Sequence, residues 1–255
     1  MMGARRIGII GGSGLDDPEI LEEESASSVA SEWGEPSPIK IGSIDGVSVA
    51  ILGRHGPGHT IPPSRVNYRA NIDALSQLGC VAVVATTAVG SLRVEIERGD
   101  FVLLDQFIDF TRSRNNSFHE RFEAGNPVHA SLADPFDPEI GGVLVDTADR
   151  LGLKLHPKGT VVTIEGPRFS TRAESRMFRS WGADVINMTI ATECALAREA
   201  DLRYAAIAMS TDYDCWKTDE PPVTWDEIAR VFSGNASSVL KLLREALPKI
   251  EKIVA

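Results

Sequence analysis

The chain has 255 residues, of which 43% are hydrophobic, and its formal net charge is -10. This acidity argues against binding to a nucleic-acid backbone or an anionic membrane surface, but it leaves room for a local pocket that holds a small anion. The three cysteines are an odd number without metal-ligand spacing, so we expect no metal site, no disulfide framework and a reducing, cytoplasmic location. No apolar run approaches a membrane span, and no linker or repeat divides the chain, so one domain is expected.

The amino-terminal part of the chain predicts a buried strand that ends in a glycine turn. The strand covers Arg6–Ile10, and the turn covers Gly11–Gly14 and includes Ser13. Glycines let backbone N–H groups approach an anion closely, so the turn suits phosphate. It is not a dinucleotide fingerprint, because Asp17 stands where a third glycine is needed.

A predicted β-hairpin follows and leads into a cationic loop. The apolar runs Ile39–Ile44 and Val47–Leu52 flank an Asp-Gly pair, which is a strong hairpin signal. The second run leads to Arg54 and His55, set among glycines and prolines. The planar guanidinium of Arg54 suits phosphate, and His55 adds a donor when it is protonated.

The next apolar strand ends in hydroxyl-bearing residues. A helix is predicted over Asn67–Gly79, and the strand Val81–Ala85 follows it and runs into Thr86, Thr87 and Ala88. Hydroxyls and backbone N–H groups at the end of a strand form a second candidate anion site.

The middle of the chain is irregular. After a strand predicted over Phe101–Leu104, the region Arg112–Asp137 shows no periodicity. A long irregular stretch more often forms a lid or a subunit contact than part of a core. A helix is predicted next, over Glu139–Leu151.

Residues Val161–Glu193 predict a strand–loop–helix–strand unit that organises the rest of the chain. The strand Val161–Ile164 runs into a loop, and Thr171 with Glu174 forms a capping box for the following helix. That helix should bury one face, formed by Met177, Phe178 and Trp181.

The second strand of this unit is predicted over Asp184–Met188 and leads to Thr189, with another helix starting near Thr192. In open α/β sheets, ligands lie at the carboxyl ends of strands. The polar residues after these strands therefore indicate a site.

The last predicted strand, Tyr204–Met209, leads to Asp212 and Asp214. Two carboxylates at the end of a strand are candidates for acid–base chemistry or base recognition. From Trp225 onward the apolar spacing predicts an amphipathic helix, with a possible break at residues 233–235.

Several strand ends thus bring together hydroxyls, one arginine and backbone amides, which would hold a free phosphate without a metal. The pair of Asp212 and Asp214 suits a group with amino or ring-nitrogen donors, such as a purine. The sequence predicts a site for both.

Six segments between Ile7 and about Trp216 carry a resemblance to a known family: IGIIGGSGLDD, GRHGPGHTIPPSRVNYRANI, TTAVGSL, GDFVLLDQFIDFT, VTIEGPRFSTRAESRMFRSWGADVINMT and AMSTDYDCW. Together they resemble the S-methyl-5'-thioadenosine phosphorylases of the trimeric purine nucleoside phosphorylase superfamily. The resemblance implies a single α/β domain with a mixed, barrel-like central β-sheet flanked by helices. It also implies a homotrimer with intersubunit active sites, and cleavage of methylthioadenosine by phosphate to adenine and 5-methylthioribose 1-phosphate. The resemblance implies no cofactor, and inorganic phosphate takes part as a co-substrate.

The resemblance also assigns roles to individual residues. The family's phosphate contacts correspond to Ser13, Arg54, His55, Thr87, Ala88 and Thr189. The nucleoside contacts correspond to Met188, Asp212, Tyr213 and Asp214, of which Asp212 and Asp214 are the catalytic, base-reading pair. The specificity positions correspond to Ser170, to His129 from a neighbouring subunit, and to Trp225, where the family has a small aliphatic residue.

We expect Asp212 to be held protonated and to donate to N7 of the leaving adenine, while Asp214 accepts from the 6-amino group. Three alternatives stay open. A broader purine nucleoside phosphorylase or a methylthioinosine phosphorylase would share the phosphate site, but an enzyme for 6-oxopurine nucleosides or methylthioinosine should prefer Asn where Asp212 stands. A non-catalytic nucleoside-binding trimer should have lost part of the phosphate set.

Overall fold

The computed structural model of the protein describes residues 5–11, 20–27, 29–219 and 224–255. Within these residues, eleven strands form one mixed sheet. In chain order they are β1 Arg6–Gly11, β2 Glu22–Ser27, β3 Ile39–Ile44, β4 Val47–Gly53, β5 Cys80–Ser91, β6 Phe101–Leu103, β7 Gln106–Phe110, β8 Leu155–His156, β9 Thr160–Ile164, β10 Val185–Asn187 and β11 Arg203–Asp212. The helices are α1 Tyr68–Gln77, α2 Pro138–Arg150, α3 Arg172–Ser180, α4 Ile190–Glu199 and α5 Trp225–Val254.

The sheet branches at β5. The main path runs β2-β3-β4-β1-β5-β10-β9-β7, and a second path leaves β5 through β11 to β6 and β8. β5 pairs in parallel with β1 and β11 and antiparallel with β10. The expected single-domain α/β fold with a mixed central sheet and flanking helices is confirmed.

Helices cover both faces of β5. Successive side chains of a strand point to opposite sides, so neighbouring residues of β5 pack against different helices. On one side Val83 packs in a core with α1 and α4, which contribute Leu75 and Leu196. On the other side Val84 packs in a core with α2 and α5, which contribute Leu144 and Leu243. This burial on both faces explains why the strand reads as a continuous apolar run.

Three elements differ from the sequence predictions. β5 continues past Ala85 to Ser91, since β11 pairs with it along most of this extension. α4 begins at Ile190 rather than near Thr192, and its N-cap Thr189 makes no side-chain capping bond that would mark the start. α5 is continuous through residues 233–235, because its buried apolar residues pack on both sides of that point.

Other local predictions are confirmed. β3 and β4 pair as the predicted hairpin, and Thr171 forms the predicted capping box with Glu174. The buried apolar face of α3 is narrower than expected. Phe178 is fully buried, but Trp181, directly after the helix, is 49% exposed. The short strands β2, β7 and β8 were not predicted. None of the helices in the described ranges has the length and apolar character that crossing a membrane requires.

Candidate active site

A cavity of about 480 Å³ lies at the carboxyl ends of β5, β10 and β11, next to the loops after β4 and β9. It gathers most of the residues that the sequence singled out. One part of its wall, the Arg54 end, is formed by Arg54, His55, Thr87, Ala88 and Thr189. A second part, the carboxylate end, is formed by Ser170, Asp212 and Asp214, and Met188 also lines the cavity.

The Arg54 end lies beside an opening in the sheet. The pairing of β1 with β5 reaches Ala85, and the pairing of β10 with β5 begins at Gly90. Between these points, among the described strands, residues 86–89 pair only with β11. Among the described strands, none pairs with the other side of this stretch, which explains why Thr87 and Ala88 line the cavity inside a strand rather than after one.

Arg54 is 1% exposed and is already held by the protein. Its Nε and Nη2 donate to the two carboxylate oxygens of Glu193 at 2.6 and 2.9 Å, and its Nη1 donates to the main-chain oxygen of Thr86 at 2.7 Å. Burial lowers the pKa of Arg54, but the charge and hydrogen bonds of Glu193 outweigh this effect and the net shift is upward. Of the five N–H groups of a guanidinium, two remain for a ligand.

Glu193 is a buried partner of Arg54 that the sequence did not predict. It lies in the first turn of α4, is 1% exposed, and also accepts a hydrogen bond from the Tyr204 hydroxyl at 3.0 Å. A charged residue among the apolar residues of the first half of α4 was the available signal, because a buried carboxylate needs a partner. The pair keeps the Arg54 end close to electrically neutral.

His55 is neutral at pH 7. Its Nδ1 lies 2.8 Å from the main-chain oxygen of Ile61, and since a carbonyl only accepts, Nδ1 carries the proton. Burial, followed by the charge of Arg54, lowers the pKa of His55 to about 4. Its Nε2 is therefore an acceptor, which corrects the expectation that a protonated His55 adds a donor. The ring stacks on His59 with centroids 4.2 Å apart.

A chain of hydrogen bonds orients the Thr87 hydroxyl. The Ala191 N–H donates to Thr163 Oγ1, Thr163 Oγ1 donates to Asn187 Oδ1 at 2.8 Å, and Asn187 Nδ2 donates to Thr87 Oγ1 at 3.3 Å. Because Thr87 Oγ1 accepts from Asn187, its own proton points elsewhere, and it has the Ala88 oxygen as an acceptor at 3.1 Å. Asn187 was not identified from the sequence.

At the carboxylate end, Asp212 is enclosed by donors. Its Oδ1 accepts from the Thr211 hydroxyl at 2.8 Å, and its Oδ2 accepts from the Asp214 N–H at 2.9 Å. Burial raises the pKa of Asp212 to about 6, and these two hydrogen bonds oppose the rise. The group can therefore carry or release a proton near neutral pH.

Asp214 has an oxygen that the protein does not use. Within the described part of the chain, Asp214 Oδ2 and Ser170 Oγ are buried without a hydrogen-bond partner. Burial raises the pKa of Asp214, and the nearby Ser175 hydroxyl lowers it, although no hydrogen bond of good geometry joins the two. Buried polar atoms without partners are costly, so these two atoms are candidates for ligand contacts.

Gly90 makes room for the carboxylate pair. A Cβ at this position would lie 3.0 Å from Asp212 Oδ2, 3.1 Å from Ile186 and 3.3 Å from the Asp214 Cβ. All three distances are tighter than ordinary side-chain contacts, so a larger residue would displace the pair.

The rest of the wall is largely apolar. Ile186 and Met188 lie on one side, and Ile228 and Phe232 of α5 lie on another. The helical spacing of α5 predicted its core contacts but did not show that its first turns face the cavity.

Two predicted residues, Tyr213 and His129, do not line this wall, and two further ones fall outside the described residues. The chain turns after β11, so the Tyr213 ring packs against Trp216 and beneath Lys217, outside the cavity lining. His129 lies in the exposed irregular region, with its ring 5.4 Å from that of Phe122. Ser13 and the side chain of Trp225 lie outside the described residues.

The sequence model of the phosphorylase superfamily matches residues 6–248. The S-methyl-5'-thioadenosine phosphorylase of Danio rerio is 51% identical over 248 residues, which cover 96% of this chain and 89% of the relative. The protein of that name from Pyrococcus abyssi is 50% identical over 246 residues, covering 96% of this chain and 93% of the relative.

Solved structures agree with these matches. The methylthioadenosine phosphorylase of Schistosoma mansoni in complex with adenine superposes with a TM-score of 0.92 at 40% identity, covering 98% of this chain and 93% of that chain. A mutant of the adenosine/methylthioadenosine phosphorylase of that organism, in complex with methylthioadenosine, gives a TM-score of 0.90 at 39% identity and covers 98% and 92%.

Proposed function

Because the chain belongs to the phosphorylase superfamily and, within it, to the S-methyl-5'-thioadenosine phosphorylases, we propose that it cleaves S-methyl-5'-thioadenosine with inorganic phosphate. The products are adenine and 5-methylthioribose 1-phosphate. The observation that carries this proposal is one cavity whose lining combines the anion-binding groups of the Arg54 end, a buried carboxylate pair and apolar side chains.

Phosphate binds at the Arg54 end. The two remaining N–H groups of Arg54, the Thr87 hydroxyl and the Ala88 N–H supply donors from three directions. Thr189 adds a hydroxyl at the amino terminus of α4, where backbone N–H groups and the helix dipole favour an anion. Ser13, in its glycine turn, is proposed as a further contact on sequence grounds.

His55 contacts the protonated oxygen of hydrogen phosphate. Since its Nε2 is an acceptor, a P–OH group donates to it, and the unprotonated oxygens of the phosphate go to the donors. This arrangement turns an unprotonated oxygen toward C1' of the sugar. Holding the nucleophile in line stabilises the oxocarbenium-like transition state by proximity and by charge.

The carboxylate end binds adenine. Asp212, with its raised pKa, donates a proton to N7 as the glycosidic bond breaks, so that adenine leaves as a neutral molecule. Asp214 accepts from the 6-amino group through its unpaired Oδ2, and Ser170 Oγ is a second contact to the base. In this proposal Met188 contacts the ribose, and the apolar residues of α5 that line the cavity receive the 5' substituent.

The protein works as a homotrimer with intersubunit sites. The irregular region after β7 exposes large apolar side chains, with Phe122 at 48%, Val128 at 44% and Leu132 at 36% exposure. A contact with a neighbouring copy would cover them, and His129 beside Phe122 would reach the 5' end of the neighbour's cavity. The cysteines, all free in the described residues, support action in a reducing cytoplasm.

The test is cleavage of methylthioadenosine, adenosine, inosine and methylthioinosine, each with and without phosphate. We expect phosphate-dependent release of base from methylthioadenosine, a sugar 1-phosphate as the second product, and weaker cleavage of the 6-oxopurine nucleosides. Equal turnover without phosphate would identify a hydrolase. Equal cleavage of methylthioinosine would show that Asp214 does not read the 6-amino group.

A further inference from the structure

Thr211 occupies an irregular position beside the carboxylate pair. β11 runs parallel to β5, with Ser210 opposite Val89 and Asp212 opposite Gly90. Two residues of β11 therefore advance against one of β5, and Thr211 is the extra residue. A bulge of this kind redirects side chains next to a site. Here it lets Thr211 and Asp212, which are neighbours in the chain, both line the cavity.

The Thr211 hydroxyl has two acceptors but a single proton. Its Oγ1 lies 2.8 Å from Asp212 Oδ1 and 3.2 Å from the main-chain oxygen of Val89. Thr211 is 1% exposed, so water does not compete freely for this hydroxyl. The Asp214 N–H that contacts Asp212 Oδ2 belongs to the backbone and has no comparable freedom to rotate.

We propose that Thr211 is a positioning residue that responds to the protonation state of Asp212: its hydroxyl donates to the Val89 oxygen while Asp212 is protonated and turns to Oδ1 as Asp212 loses its proton. This inference rests on the proposed function. In the reaction the Asp212 proton moves to N7 of the base, the C1'–N9 bond breaks and the phosphate oxygen bonds to C1'. The hydrogen bond from Thr211 then stabilises the carboxylate that remains, and it strengthens only as the transition state forms.

Other charges around Asp212 set a constant background. Asp214 lies beside it and disfavours its ionisation, and Arg98, in the loop before β6, favours it. Arg54, His55 and His59 line the same cavity. Replacing Thr211 changes none of these groups, so a comparison of variants isolates the hydroxyl.

The test compares Thr211→Val, which keeps the shape and removes the hydroxyl, with Thr211→Ser, which keeps the hydroxyl. kcat/KM for methylthioadenosine is measured at saturating phosphate from pH 5 to 9. The ratio of each variant to the unaltered protein cancels the titration of phosphate and of the histidines. For Thr211→Val we expect a loss of about tenfold or more at low pH, the scale of one hydrogen bond to a charged group.

The loss should shrink as pH rises. Without the Thr211 donor, Asp212 holds its proton to higher pH, by about one pH unit for a tenfold effect. Thr211→Ser should recover the pH profile of the unaltered protein. A ratio that stays flat with pH, or a Thr211→Val protein as active as the original, would overturn the inference.

Thr211→Ala provides a second variant without the hydroxyl, and it should shift the profile in the same direction if Thr211→Val folds poorly. Failure of the proposed function would instead appear in the unaltered protein, as an absence of phosphate-dependent cleavage at every pH, and would overturn both proposals. Failure of the Thr211 inference alone would appear only in the ratios.

Discussion

The two ends of the cavity differ in how fully the protein satisfies the buried polar atoms of the side chains that line them. At the Arg54 end, Arg54 is paired with Glu193, His55 is fixed by the Ile61 oxygen, and Thr87 accepts from Asn187. At the carboxylate end, Asp214 Oδ2 and Ser170 Oγ are buried without a partner in the described residues.

This difference shows how one cavity can serve two ligands. The Arg54 end is preorganised, so its donors keep their directions whether or not an anion is bound, and little reorganisation accompanies binding. The carboxylate end keeps unsatisfied atoms that only a base with matching donors can satisfy. Selectivity among nucleosides should therefore arise at the carboxylate end, while the Arg54 end should govern the requirement for phosphate.

The largest effect should follow Asp212→Asn. An amide cannot supply the proton that N7 needs, so kcat for methylthioadenosine should fall by about 10²–10⁴. The preference for adenine over 6-oxopurine nucleosides should narrow or reverse, because the Asn amide can donate to a 6-oxo group. The measurement is kcat/KM for methylthioadenosine and methylthioinosine.

Asp201→Asn is a suitable control for this substitution. Asp201 is an exposed residue with a φ of 54°, a conformation that Asn tolerates well. Its replacement should leave the kinetics unaltered. If Asp212→Asn were equally harmless, Asp212 would not be the acid.

The next effect tests the preorganisation of the Arg54 end. Glu193→Gln leaves the buried Arg54 charge uncompensated, and losing one member of a buried ion pair generally costs about 3–5 kcal/mol of stability. We expect a lower urea midpoint, and a larger change in KM for phosphate than in KM for the nucleoside. The effect should be strong because both side chains are 2% exposed.

Glu245→Gln is the matched control, since Glu245 pairs with Arg150 and the two side chains are 37% and 53% exposed. Water and salt screen that pair, so its loss should change stability little. Equal losses for the two variants would mean that burial of the Arg54 pair has no special role.

Much of this fold was predictable from the sequence because its signals are local. The hairpin of β3 and β4 follows from an Asp-Gly pair between apolar runs, and the start of α3 follows from Thr171 and Glu174. The extension of β5 to Ser91 was not predictable in this way. Its polar end is ordered by pairing with β11, which lies more than a hundred residues away in the chain.

The site shows the same division. Arg54, Thr87 and Asp212 were identifiable because they follow apolar runs and match family motifs. Glu193 and Asn187 act through residues that are distant in the sequence, so no local pattern assigned them a role. The position of Tyr213 was missed for a related reason, because the direction of its ring depends on the turn after β11 and on Trp216.

The third prediction concerns the pH dependence of stability. His55 at one end and Asp212 at the other should change the free energy of unfolding in opposite directions as pH falls. The pKa of His55 is lowered from 6.5 to about 4. Between these two pH values the unfolded chain therefore binds a proton at this residue and the native state does not. This contribution to stability is present above pH 6.5 and is lost as pH falls toward 4. The pKa of Asp212 is raised from 3.8 to about 6, so its contribution is present below pH 3.8 and is lost as pH rises through 6.

The two contributions can be separated by measuring urea unfolding of His55→Gln and Asp212→Asn between pH 7 and pH 4.5, at one protein concentration. Relative to the unaltered protein, His55→Gln should gain stability as pH falls, and Asp212→Asn should lose it. Each variant's free energy of unfolding, relative to that of the unaltered protein, should change by roughly 2 kcal/mol over this pH range. Slopes of the same sign would contradict the opposite protonation states assigned to the two ends.

The smallest expected effect concerns the chain of hydrogen bonds behind Thr87. Asn187 donates to Thr87 Oγ1 at 3.3 Å and is itself fixed by Thr163, which accepts from the Ala191 N–H in the first turn of α4. If Asn187 serves only to direct the Thr87 proton, Asn187→Ala should raise KM for phosphate by about three- to tenfold, the scale of one neutral hydrogen bond. kcat should change less than KM, because the substitution does not alter the carboxylate end.

A double-mutant cycle decides whether Asn187 acts through Thr87. Thr87→Val removes the hydroxyl that Asn187 orients, so adding Asn187→Ala to it should raise KM for phosphate no further. The cycle is measured on four proteins at one pH, with methylthioadenosine saturating. If the two effects on KM multiplied instead, Asn187 would contact phosphate or sugar directly, and the Arg54 end would be less completely preorganised than its hydrogen bonds indicate.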